Sequence, residues 1–126
     1  MLTAAKARVA ALANHAFPTL EDAGRIAHPD DQFDVLALIR AEPSEPVLIL
    51  HAPQLAVAGA VSTYTCLVSV CAATENAALA HADSILALLR SRSAIAPTTS
   101  LAPIATTLRE DGYWRVAVGF TLRLKA

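Results

Sequence analysis

Between Tyr113 and Lys125 the chain alternates between two sets of side chains, and no other feature limits its possible folds as strongly. Trp114, Val116, Val118, Phe120, Leu122 and Leu124 form one set; Tyr113, Arg115, Ala117, Gly119, Thr121, Arg123 and Lys125 form the other. A period of two is the pattern of a β-strand with one face on a core, and a slip of one residue would turn every apolar side chain to water. Glu110-Asp111-Gly112 precedes it, and Asp-Gly accepts the positive φ of a hairpin turn. Leu101 to Arg109 is therefore predicted to be the first arm of a C-terminal β-hairpin.

The apolar face of that strand needs a cover, and helical periodicity elsewhere supplies one. Leu2, Ala5, Val9, Leu12 and Ala13 are spaced for one side of a helix from Leu2 to about His15. A second helix is predicted to be capped by Asp30 or Asp31 and to run to about Ala41, with Phe33, Leu36 and Ala37 on one side and Val35, Leu38 and Ile39 beside them. The clearest helix is capped by Thr74, carries Ala78, Leu79, Ala82, Leu86 and Leu89 as its stripe, and is stopped by Pro97. Glu75 near its start and Arg90 and Arg92 near its end suit the helix dipole.

Strands are expected near Arg25 to Ala27, weakly, at Val47 to Leu50 and at Val61 to Ala73, with Pro53 to Gly59 as a loop. Val47-Leu48-Ile49-Leu50 is continuously apolar, which suits a central strand covered on both faces. The expected class is α+β: helices packed on one face of a mainly antiparallel sheet, with a C-terminal β-hairpin and long strands extending as arms. At 126 residues the chain is the size of one domain, 1–126.

Apolar residues make up 55% and charged residues 17%, which favours some surface being covered by a partner, although alanine accounts for part of the excess. No apolar run approaches the roughly 18 to 20 residues that span a bilayer, and no signal-peptide pattern is present, so a cytosolic protein without membrane contact is expected. The net charge of -1 predicts no global attraction to nucleic acid. Cys66 and Cys71, five residues apart in one strand, would lie roughly 17 Å apart on opposite faces as reduced, buried thiols.

No chemistry-bearing pattern emerges. His15, His28, His51 and His81 have no other ligand at metal-site spacing, so no metal is expected. Asp30, Asp31 and Asp34 are read as helix-capping carboxylates. Gly24, Gly59, Gly112 and Gly119 are isolated and form no phosphate-cradling loop, so no cofactor is expected. A serine or cysteine nucleophile with a histidine base is neither supplied nor excluded by spacing alone. The expected protein is not an enzyme. Arg109, Arg115, Arg123 and Lys125 on the terminal hairpin are the candidate interface or lumen residues, with a solvated sheet face as the plainer alternative.

Arg109-Glu110-Asp111-Gly112-Tyr113-Trp114-Arg115-Val116-Ala117-Val118 resembles the C-terminal signature of a Mu-like phage tail protein family, which ends in a similar acidic-Gly-aromatic-Trp hairpin. Pro46 to His51 is similar to that family's proline-led apolar strand, Tyr64 to Ala72 to its long middle strand, and Glu75 to Arg92 to its following helix. The N-terminal part shares only the order of elements. The resemblance implies a tail terminator, or tail completion protein: a homo-oligomeric ring, usually a hexamer, that caps the head-proximal end of the tail tube. Its implied partners are copies of itself, the tail tube protein, head–tail connector or neck proteins, and passing DNA. Its implied location is the host cytoplasm during assembly and then the virion tail. The family contributes no catalytic residue. The rival reading is a small ferredoxin-like ligand-binding or regulatory module, with a small hydrolase or transferase third.

Overall fold

The computed structural model describes residues 2–91 and 112–125, together with the strand formed by residues 99–110. In chain order the elements are α1 (Leu2–Ala16), β1 (Ile26–Ala27), α2 (Val35–Ala41), β2 (Val47–Leu50), β3 (Gln54–Val57), β4 (Val61–Ala72), α3 (Glu75–Arg90), β5 (Thr99–Glu110) and β6 (Tyr113–Lys125). The strands form one sheet in the order β1-β2-β4-β6-β5, with β3 beside β4. Only β1 and β2 are parallel; every other pairing is antiparallel. This is the α+β class that the alternation and the helical stripes predict.

β4 and β6 are the spine, paired without a break from Val61↔Lys125 to Ala72↔Trp114. As the period of two requires, Val116, Val118, Phe120, Leu122 and Leu124 are buried together with Tyr64, Cys66, Val68 and Val70 of β4. The long helices cover that face, α1 through Ala5, Val9, Leu12 and Ala13, α3 through Ala78, Ala82, Ile85, Leu86 and Leu89. Alanine at Ala5, Ala13, Ala78 and Ala82 lets backbone approach backbone closely, so a layer with few large side chains still packs. The predicted Thr74 cap is present: its hydroxyl accepts from Ala77 N at 3.2 Å.

A second, smaller cluster lies on the opposite face of the sheet. There Val35 and Ile39 of α2 meet Val47 of β2 and Cys71 of β4, flanked by Phe33, Leu38, Ile49 and Tyr113. β2 is thus covered on both sides, Leu48 and Leu50 facing α1 and α3, Val47 and Ile49 facing α2. This explains its unbroken apolar sequence.

Two expectations are corrected. α2 begins at Val35, not after Asp30 or Asp31, because the Asp34 carboxylate accepts from Ala37 N at 3.1 Å. Asp30 instead takes a left-handed φ of 77°, and Asp31 accepts from His28 N at 2.9 Å, so both shape the turn before the helix. Within the broad apolar stripe, Val35 and Ile39 are the buried pair.

The segment read as a loop from Pro53 to Gly59 contains β3, paired with β4 through Gln54↔Thr65, Leu55↔Tyr64 and Val57↔Thr63. All four of its side chains are exposed. No core face imposed a hydrophobic period on it, and backbone pairing alone makes it a strand.

At the terminal turn Gly112 has φ 97°, and a Cβ there would stand 2.8 Å from Leu36 Cδ1. The positive φ favours glycine, while the tip of the Leu36 side chain would have to move aside for a Cβ. Asp111 and Pro97, to which the sequence assigns the turn and the helix stop, lie outside the described residues. β5 changes register between Leu101 and Ile104, where Pro103 has no N–H to give to a ladder.

Candidate interface on the sheet

Alternation along β6 places Arg115, Arg123 and Lys125 on the face opposite α1 and α3. They do not form one cluster. Arg115 pairs in register with Cys71 near α2, whereas Arg123 pairs with Thr63 and Lys125 with Val61 at the far end, about 26 Å away along the strand. Arg123 and Lys125 are exposed and Arg115 is half-buried. The backbone of Arg109 pairs with Trp114, one position out of step with Arg115. Its side chain lies outside the described residues.

At the end of the sheet, β3 joins the start of β4 and the end of β6 in an arm whose inner residues Tyr64, Leu122 and Leu124 stay in the core while β3 itself is exposed. The arm carries no charge along 52–65, and Leu55, Val57 and Val61 are exposed by 54%, 59% and 37%. Val57 pairs with Thr63, Thr63 with Arg123 and Val61 with Lys125, so Val57, Val61, Arg123 and Lys125 share one face of the tip. Edge strands normally carry a charge or a proline to discourage pairing with other chains, and β3 carries neither.

The other end of the molecule has the opposite sign. Glu21, Asp22, Asp30, Asp31, Asp34, Glu42 and Glu45 are all exposed, and the only cations between 21 and 45 are Arg25 and Arg40. Arg25 is spent inside the fold, only 5% exposed. Its Nε donates to Pro46 O at 3.0 Å, Nη1 to Leu38 O at 2.8 Å, and Nη2 to Glu42 O at 3.1 Å and Glu45 O at 2.7 Å. The guanidinium thereby holds the segment 42–46 against the end of α2. Beside α2 an open groove of about 280 Å³ is lined by Gly24, Gln32, Phe33, Asp34, Ala37 and Leu38.

One serine–histidine pair exists that spacing could not reveal. His51 Nε2 lies 2.9 Å from Ser69 Oγ. Burial first, and then the charge of Arg115, hold the imidazole below its usual pKa, so His51 is neutral at neutral pH. Ser69 is 2% exposed in the middle of β4, and its hydroxyl offers no approach to a substrate. The pair acts as a tie between the end of β2 and β4. His81 is likewise lowered by burial, opposed by Glu45, and its ring meets Phe17 edge-on at 5.6 Å. Among the described residues no group of three His, Cys, Asp or Glu is placed to hold a metal ion.

Cys66 and Cys71 are both buried thiols outside any disulfide, Cys66 under α1 and α3 and Cys71 under α2, on opposite faces as expected. Burial pushes the Cys66 thiol up to about 11. With so little thiolate at Cys66 at pH 8, and Cys71 wholly enclosed by packing, the native protein should resist alkylation by iodoacetamide, while denaturant should expose both thiols to full modification. Intact-mass spectrometry reads the outcome. Native labelling at the rate of a small free thiol would contradict the packing of both sites.

The chain matches no family model, no curated protein and no solved structure.

Proposed function

We propose that this chain is a structural ring subunit of a phage tail, of the tail terminator or completion type. It would cap the head-proximal end of the tube and join it to the neck. The hairpin signature at Arg109 to Val118 suggests the family, and the arm is the observation that carries the reading. An uncharged strand edge with exposed Leu55, Val57 and Val61 is costly to leave in water and prone to aggregate, unless a neighbouring subunit covers it. A ring provides that neighbour without any active site, because each subunit offers two different surfaces and closure fixes the copy number. The half-buried Arg115, at the other end of β6 from the arm, then faces either the lumen, near passing DNA, or the acidic rim of an adjoining ring.

The test is the mass in solution together with a capping assay. Sedimentation velocity and negative-stain microscopy of the purified chain should give a closed ring. Added to growing tubes of the cognate tube protein, the chain should halt elongation at one end. A monomer that binds a small metabolite and leaves tube growth unchanged would replace this reading with that of a ligand-binding module.

A further inference from the structure

We infer that the arm tip of one copy seats in the groove beside α2 of a second copy, head to tail, with its cations against the acidic end. The contact supplies the ring reading above with its subunit interface, and rests on that reading for closure. The donor surface is one face of the tip: Val57 and Val61 side by side with Arg123 and Lys125. The acceptor is the groove whose walls are Phe33, Ala37 and Leu38. Asp34 lies in its lining, and Asp30 and Asp31 precede its Gln32–Phe33 wall in the chain.

Size and charge both match. A groove of about 280 Å³ takes a pair of valine side chains, and it is open enough to admit a strand from outside. The segment 21–45 around it presents seven exposed carboxylates beside the single exposed Arg40, while among the described residues the tip presents Arg123, Lys125 and uncharged residues. The same charges discourage the alternatives. Tip against tip would set Arg123 and Lys125 against their own copies, and groove against groove would set the acidic ends together, so repulsion selects the heterologous contact. A heterologous contact propagates, and it closes into a ring or runs into a filament according to the rotation it imposes.

The experiment uses two variants of the full chain that each lose one surface. Val57→Asp with Val61→Asp disables the tip, and Ala37→Glu, at an exposed position on the groove wall, disables the acceptor. Each alone should sediment as a monomer, with circular dichroism and melting temperature like the parent's. Mixed in equal amounts they should form a one-to-one dimer and nothing larger, since one intact tip meets one intact groove. Arg123→Glu with Lys125→Glu should weaken wild-type association roughly tenfold or more, and salt at roughly 0.5 M, where the Debye length is about 4 Å, should act in the same direction.

A mixture that stays monomeric, or single variants that assemble like the parent, would overturn the contact. The two readings fail separately. Variants that still form rings and cap tubes would sink the contact and leave the terminator reading standing. A wild-type chain that assembles through tip and groove but does not cap tubes would do the reverse.

Discussion

Val118→Asp is expected to unfold the domain at neutral pH. Val118 is wholly buried, in the middle of β6, paired with Val68 of the spine and beneath the two long helices. A carboxylate there finds no donor, because the strand's N–H groups are spent in the ladder on both sides. It must either stay charged in an apolar layer or take up a proton well above its usual pKa. The loss is on the order of 4 kcal/mol or more, comparable to the whole stability of many domains of this size. Val118→Ala, which only leaves a cavity, should cost about 2 kcal/mol and keep the fold. The acid variant should also recover partly as the pH falls: its folded-state pKa is raised, so the penalty shrinks once the group is protonated in both states. Thermal melts of the two variants between pH 5 and 8 measure all of this. A melting temperature equal to the parent's for Val118→Asp would remove β6 from the core.

Arg25→Met should be nearly as damaging, by a different route. The thioether keeps the side chain's length and apolar stem but withdraws the donors from Pro46, Leu38, Glu42 and Glu45 carbonyls. The Leu38 and Glu42 carbonyls keep the backbone N–H groups of Glu42 and Glu45, but the Glu45 and Pro46 carbonyls lose the guanidinium that holds them. The change should cost roughly 3–5 kcal/mol, since several charge-assisted bonds are lost at one buried site. Arg25→Lys keeps the charge but cannot reproduce the planar fork, and should fall between parent and Met. Hydrogen exchange would show the loss first at residues 42–48, with the α1–α3 core protected until global unfolding. A loss under about 1 kcal/mol would mean that water can replace the guanidinium.

Arg25 also shows why part of the structure could not be read from the sequence. Its bonds reach across 13 to 21 residues to backbone carbonyls. A carbonyl is the same at every residue, so no pattern of side chains announces the partner. The groove beside α2 has the same character, as does the split of the basic residues. Arg115 and Arg123 share a face by alternation alone, but which end of the molecule each occupies depends on the pairing of β6 with β4.

Wherever a face or stripe is buried, the sequence by itself determined the structure. The alternation of Trp114 to Leu124, the stripes of α1 and α3, and the unbroken Val47–Leu50 each carry the period of the surface they pack against, and burial enforces that period residue by residue. The start of α2, the strand β3 and the clamp at Arg25 were decided only by the tertiary structure. Three aspartates compete for one cap, and only Asp34 is in reach of Ala37 N once Val35 and Ile39 are seated on β2 and β4. β3 has no buried face, so nothing in its side chains distinguishes it from a loop; the hydrogen bonds offered by the edge of β4 make it a strand. The physical reason is the same in each case: hydrophobic burial is written in side chains and has a period, whereas backbone hydrogen bonding is available to almost any residue and is assigned by whichever neighbour the fold brings within reach.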